Sequence, residues 1–140
     1  MKYLKFILTL IGGFLGWFIG SCDGFILTLI VFAVIDYITG VLDAYFKNEL
    51  SSEIGFKGII RKVVIFVVVG VANVLDVYII KNGSVLRTAT VFFYASNEGI
   101  SILENLTSMG VPIPQFLKKA LKQLKDNDPL KGEKGDANEV

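Results

Sequence analysis

The feature that most constrains this chain is a succession of four long apolar stretches, at about residues 4–21, 24–46, 63–80 and 85–106. Each approaches the roughly 17–25 residues that an α-helix needs to cross the hydrocarbon layer of a bilayer. With 53% hydrophobic and 19% charged residues and a mean hydropathy of +0.61, the chain carries more apolar surface than a soluble domain of 140 residues could hide. The predicted fold class is an all-α integral membrane protein: a bundle of about four transmembrane helices, a C-terminal amphipathic helix and a disordered tail. The first three stretches are the clearest, since Phe25 to Ile35 and Val63 to Leu75 contain no charge. The fourth carries Arg87, Asn97, Glu98 and Glu104. On an insertion scale where an apolar residue contributes roughly −0.5 kcal/mol and a central charge costs roughly +3 kcal/mol, it is marginal alone. It either spans with its polar groups satisfied by neighbouring helices or lies along the membrane surface.

Charge distribution favours four spans. Lys2 and Lys5 precede the first stretch; Lys47, Lys57, Arg61 and Lys62 lie between the second and third; Lys118, Lys119, Lys122, Lys125, Lys131 and Lys134 follow the fourth. Only Lys81 and Arg87 fall on the other side, so twelve of fourteen basic residues share one face of the membrane. The positive-inside rule makes that face cytoplasmic, with both termini inside and Cys22 outside. Basic residues before an apolar run also describe a signal peptide, and Ile19 to Cys22 resembles a loose lipoprotein cleavage box. Three further apolar stretches argue against a cleaved, secreted product. Gly12, Gly16 and Gly20 form a small-xxx-small series suited to close helix packing, although glycine is also simply common in membrane helices.

The expected organisation is a transmembrane helical domain at 1–111, a basic amphipathic helix at 112–125 and a polar, disordered tail at 126–140. Pro112 and Pro114 end any preceding helix. From Gln115 to Lys125, Phe116, Leu117, Ala120, Leu121 and Leu124 share one face, with Lys118, Lys119, Lys122 and Lys125 around the other. Such a helix can rest on an anionic leaflet; an ordinary basic flank after a membrane span has the same composition.

Polar residues inside the spans are the candidate functional groups, because ionisable side chains at membrane depth are costly and face a partner or water. Asp36, Thr39, Gly40 and Asp43 recur at helical spacing on the second span, and Asn73 and Asp76 on the third. Arg87, Thr90, Tyr94, Asn97, Glu98, Ser101, Glu104 and Asn105 form a stripe on the fourth. These stripes either line a hydrophilic interior or subunit interface, or pair within one chain and fix helix register; Arg87 and Asn73 are the expected partners of Glu98. Histidine is absent and cysteine occurs once, so no Cys/His metal cluster can form. No phosphate loop and no nucleophile with a base at a recognisable spacing is present. An enzyme is not expected, nor a cofactor, a metal or a nucleic-acid partner.

Three ordered motifs then carry a resemblance. Asp36-Tyr37-Ile38-Thr39-Gly40-Val41-Leu42 is the first. The second is Leu50-Ser51-Ser52 with Gly55-Phe56-Lys57-Gly58-Ile59 and Lys62. The third is Asn97-Glu98-Gly99-Ile100-Ser101-Ile102-Leu103-Glu104-Asn105, followed by Gly110, Pro112 and Pro114. Over about residues 12–124 the chain resembles the toxin-secretion/phage-lysis holin family. The resemblance implies a small phage-encoded protein that accumulates in the cytoplasmic membrane of a bacterial host, oligomerises at a set time and makes the membrane leaky. An endolysin, or in some relatives a protein toxin, then leaves without direct binding to the holin being expected. Cys22 and the residues after Lys125 stand outside the pattern. An alternative from another class is a small ion or solute transporter using Glu98 or Asp36 as an intramembrane carboxylate; a third is a membrane adaptor acting through Gln115 to Lys125.

Overall fold

Helix α1 (Lys2–Ile19) is joined by a short turn to α2 (Gly24–Phe46), which Asp23 caps by accepting a hydrogen bond from the Ile26 N–H at 3.0 Å. The computed structural model describes residues 1–126, and among these there is no strand. Helix α3 (Ser52–Leu75) runs on without a break into a wider π turn, Asp76–Ile80, which ends at Lys81 in the left-handed conformation. Helix α4 spans Val85–Ser108 and α5 spans Gln115–Asp126. Pro112 and Pro114 sit in the α4–α5 connection, outside both helices. The predicted tail lies outside the described residues apart from Asp126, as do the side chains of Leu124 and Lys125.

The third helix corrects the sequence reading. It begins at Ser52 rather than near residue 63, so Lys57, Arg61 and Lys62 lie on a helix and not in a loop. Its polar first turns hold for identifiable reasons. Ser51 accepts from the Ile54 N–H at 3.2 Å, Glu53 complements the helix dipole, and Glu53 pairs with Lys57 one turn on at 2.6 Å. With its π extension the helix has 29 residues, about 43 Å at 1.5 Å per residue.

Helices α2 and α4 pack along their length, α3 lies against α4, and α5 folds back onto α4. The Leu121 side chain of α5 rests over Gly99, where an added Cβ would come within 3.0 Å of it. Leu29, Val69 and Val91 are fully buried between α2, α3 and α4, with Ile26 and Ile65 beside them. The opposite faces are apolar and exposed, as at Leu27, Val34, Val67 and Val71. Three helices, Lys2–Ile19, Gly24–Phe46 and Ser52–Ile80, are long and apolar enough to cross a membrane. Helix α4 is as long but carries the charges noted above.

Helix α1 contributes no buried residue and packs mainly on α3, with its C-terminal residue Ile19 also reached by Arg87 of α4. The Phe18 ring fills the slot at Gly70, where a Cβ would stand 2.1 Å from a ring carbon. Trp17 Nε1 donates to the Tyr78 hydroxyl at 3.1 Å. Nothing lies within 4 Å of a Cβ added at Gly12 or Gly16, so neither glycine serves helix packing inside one chain. Gly20 ends α1 at φ 89°, a conformation that favours glycine. A Cβ there would meet Asn73 Oδ1 at 2.7 Å.

Candidate functional site

Apart from Ser96, the buried polar side chains collect in two layers. The first, at the α1–α2 turn, is a clamp built on Asp76 and Arg87. Asp76 is 1% exposed and accepts from the backbone N–H of Leu86 at 3.1 Å and of Arg87 at 2.7 Å. It thus caps α4 from another helix, where Ser84 supplies no side-chain cap. The Arg87 guanidinium reaches α1 and the turn, donating to the Ile19 carbonyl at 2.8 Å, the Ser21 carbonyl at 2.5 Å and Asp23 Oδ2 at 2.9 Å. Asn73 Nδ2 donates to the Phe18 carbonyl at 3.0 Å. Carbonyls left open at the end of α1 are therefore satisfied by side chains of α3 and α4. The Arg87 hydrogen bond, with help from the Ile26 N–H, holds the Asp23 carboxyl below its ordinary pKa.

The second layer is a charged triad. Lys62 Nζ of α3 donates to both Asp36 Oδ2 of α2 and Glu98 Oε2 of α4. Asn105 Nδ2 donates to Asp36 Oδ1 at 3.2 Å and to Thr39 Oγ1 at 3.0 Å. Glu98 therefore pairs with Lys62, not with Arg87 or Asn73 as the sequence reading expected. Lys62 belonged to the apparent loop, so its reach into the bundle was hidden until α3 was extended. From the clamp, the triad residues lie 11 to 14 residues along their helices, which places all three at about 17–21 Å. The apolar core of Leu29, Val69 and Val91 fills the space between the layers. In lipid, apolar contact gives little drive for helix association, so such polar links and close packing hold the bundle. Two buried carboxylates sharing one ammonium form a group whose cost is offset only while all partners stay in place.

Not every candidate joins a layer. Glu104 is exposed, Asn97 and Ser101 are half-buried, and Asp43 pairs with Lys47 at 2.7 Å at the end of α2. That hydrogen bond to Asp43 raises the Lys47 pKa. Phe56 points outward, as do Lys119 and Lys122, while Lys118 is half-buried. Sequence reasoning passed over Ser96, which is buried and donates to the Phe92 carbonyl at 2.7 Å. It also passed over Gly70, Phe18 and the Trp17–Tyr78 bond; only a facing helix makes these visible.

The motif residues converge. A cavity of about 310 Å³ opens between α2, α3 and α4 beside the triad, and Tyr37, Gly40, Gly55, Lys57, Gly58, Lys62 and Asn105 all line it. Tyr37 lies across Gly58, where a Cβ would come 3.1 Å from its ring. Ser51 and Ser52 sit at the start of α3.

Helices with apolar outer faces around charged interior layers define a small all-helical membrane protein. The comparisons agree and go further: residues 13–126 match the bacteriophage holin family, and this chain belongs to that family. Its relatives include an uncharacterized protein of Clostridium perfringens strain 13, 44% identical over 128 residues, or 91% of this chain and 95% of the relative. A second C. perfringens protein, described as lying in the nagH 3′ region, is 46% identical over 125 residues, 89% of this chain and 94% of the relative. A protein of Bacillus phage phi105 named probable holin is 44% identical over 108 residues, 77% of this chain and 79% of the relative. No solved structure matches the chain.

Proposed function

We propose that this protein acts as a phage holin: it oligomerises in the cytoplasmic membrane of a bacterial host and permeabilises it, releasing an endolysin or a protein toxin and leading to lysis. The observation that carries this reading is the internal pairing of the buried polar groups in a holin-family chain. The triad charges are paired with one another and the Asp76 and Arg87 side chains are satisfied within one monomer, and an apolar plug separates the two layers. A monomer of this kind diffuses without leaking. A hole needs polar surface facing water, and separation of α2, α3 and α4 would supply it from the same residues. Catalysis has no part in this reading.

In this reading α4 is the fourth span, its charges covered by α2 and α3. Both termini and the 47–62 segment are cytoplasmic and Cys22 is outside, which the placement of twelve of fourteen basic residues supports. The membrane domain is 1–111. The 112–125 segment, which folds back with Leu121 over Gly99, is assigned to the cytoplasmic side, its basic residues Lys118, Lys119, Lys122 and Lys125 being the groups that an anionic leaflet would attract. The open Gly12 and Gly16 face of α1 is available to a second copy. Timed expression in a bacterial host, with membrane potential and viability followed together, tests the function. Abrupt loss of both after a lag is expected. A steady, substrate-dependent flux without loss of viability would instead identify the transporter, and neither effect the adaptor.

A further inference from the structure

A second cavity adjoins the one beside the triad. A groove of about 320 Å³ runs between α2 and α3, lined by Ile30, Ala33, Val34, Ile59, Val63 and Phe66. Tyr37 and Lys62 belong to both cavities, so they form the boundary between a polar chamber and an apolar channel. Helices α2 and α3 barely touch each other along this line.

The two chambers differ in chemistry and in depth. The polar chamber presents Lys57, Arg61 and Lys62 against one carboxylate, Asp36, with Ser101 and Asn105 as uncharged donors. Lys62 is committed to Asp36 and Glu98, and Lys57 pairs with Glu53 in an exposed position. Arg61 makes no ion pair among the described residues and is exposed. Lys57 is balanced by Glu53 and the triad carries one net negative charge, so Arg61 is the lining cation without a carboxylate partner, and its guanidinium beside the exposed Lys57 ammonium suits a phosphate. Counted from the clamp, Tyr37 to Val41 and Ile54 to Lys62 lie at about 21–33 Å, close to the far limit of a hydrocarbon layer about 30 Å thick. The residues of the apolar groove lie at about 10–25 Å, inside that layer.

We propose that one anionic glycerophospholipid sits between α2 and α3, its phosphate in the chamber of Lys57 and Arg61 and an acyl chain in the groove of Val34 and Val63. A free anion would leave the groove unused, and a zwitterionic lipid would bring its own cation beside Lys57 and Arg61. The glycines give the headgroup its room. With hydrogen at Gly55 and Gly58 the Tyr37 ring lies flat against α3, and a Cβ at Gly58 would push the ring into the chamber.

The test uses the full chain purified in mild detergent and incubated with mixed micelles holding phosphatidylglycerol or phosphatidylcholine, with retained lipid counted by native mass spectrometry. The wild type should retain about one phosphatidylglycerol and no phosphatidylcholine. The double variant Lys57→Gln/Arg61→Gln should lose retention at least tenfold. Lys2→Gln/Lys5→Gln, which removes the same charge from α1, should keep it. Val63→Trp, at an exposed position where a large side chain is tolerated, should lower retention by filling the groove while leaving helicity unchanged. Equal loss in the Lys2/Lys5 variant would reduce the effect to general surface attraction and overturn the proposal. Unchanged retention in Lys57→Gln/Arg61→Gln or in Val63→Trp would overturn it too, as would displacement of the lipid by glycerol phosphate as readily as by phosphatidylglycerol. None of these readouts depends on whether the protein permeabilises membranes.

Discussion

Replacing Lys62 by Met removes the cation that two buried carboxylates share, while filling nearly the same volume. The side chains of Lys62, Asp36 and Glu98 are 16%, 11% and 8% exposed, so solvent screens the remaining pair little. Breaking a buried ion pair by deleting one partner costs about 3–5 kcal/mol, a factor of about 10²–10⁴ in the folded population, unless a carboxyl takes up a proton. Glu98→Gln is a different case. It leaves a neutral Lys62–Asp36 pair, and the amide oxygen still accepts from Lys62, so the loss should be about 1 kcal/mol. Asp36→Asn should fall between the two, because Asn105 also loses a charged acceptor. The triple variant Asp36→Asn/Lys62→Met/Glu98→Gln carries no buried charge in this layer and should recover most of the loss. SDS titration of each protein in mixed micelles, read by Trp17 fluorescence and circular dichroism, gives the ranking. A Lys62→Met protein as stable as Glu98→Gln, or a triple variant as damaged as Lys62→Met, would refute the reasoning. In cells, the weakened Lys62→Met bundle should lose membrane potential earlier than wild type at matched protein level.

Further outcomes follow from the clamp and from α1. Asp76→Ala leaves two N–H groups of α4 without their acceptor and should lower stability by about 1–2 kcal/mol, measurable in the same titration. Gly70→Leu should expel Phe18 and release α1, shifting Trp17 fluorescence as its bond to Tyr78 is lost, and Phe18→Ala in the same chain should partly restore it. Gly16→Leu should leave Trp17 fluorescence unchanged and instead alter cross-linking between copies. Because the Asp23 pKa is lowered on folding, its pairing with Arg87 stabilises the protein above the ordinary carboxylate pKa of about 4 and is lost as pH falls through the lower folded value. Trp17 fluorescence, which reports the contact of α1 with Tyr78, should therefore hold steady from about pH 5 to 8 and shift only in stronger acid. Cys22 is exposed and should react with a membrane-impermeant thiol reagent added to intact cells; persistent protection would count against an outside Cys22.

The helices were legible in the sequence because an apolar run long enough to cross a bilayer has few other solutions in lipid. The start of α3 was not. Lys57, Arg61 and Lys62 break the apolar run, and hydropathy stops where they begin. Local chemistry held the missing signal: Ser51 at the cap, Glu53 in the first turn and Lys57 four residues later mark a helix start. The polar stripes on α2, α3 and α4 were visible as periodicities, but periodicity says only which residues share a face. It cannot say that Glu98 meets Lys62, since that depends on how three helices are levelled against one another. Nor could spacing separate Gly12 and Gly16, which touch nothing, from Gly70, which receives a ring. Cavities are still further from the sequence: the chamber between α2 and α3 gathers residues from three motifs, and its existence depends on the gap those helices leave.

The two polar layers also act as a ruler for insertions and deletions. One residue added between them on a single helix would turn everything beyond it by about 100° and shift it by about 1.5 Å. Asp36, Lys62 or Glu98 would then face lipid while the clamp stayed in place. Length changes in chains built on this plan should accordingly be barred from 24–36, 62–76 and 86–98. They should be absorbed at 47–51, at 109–114 and at the two termini, where no layer has to be kept in step.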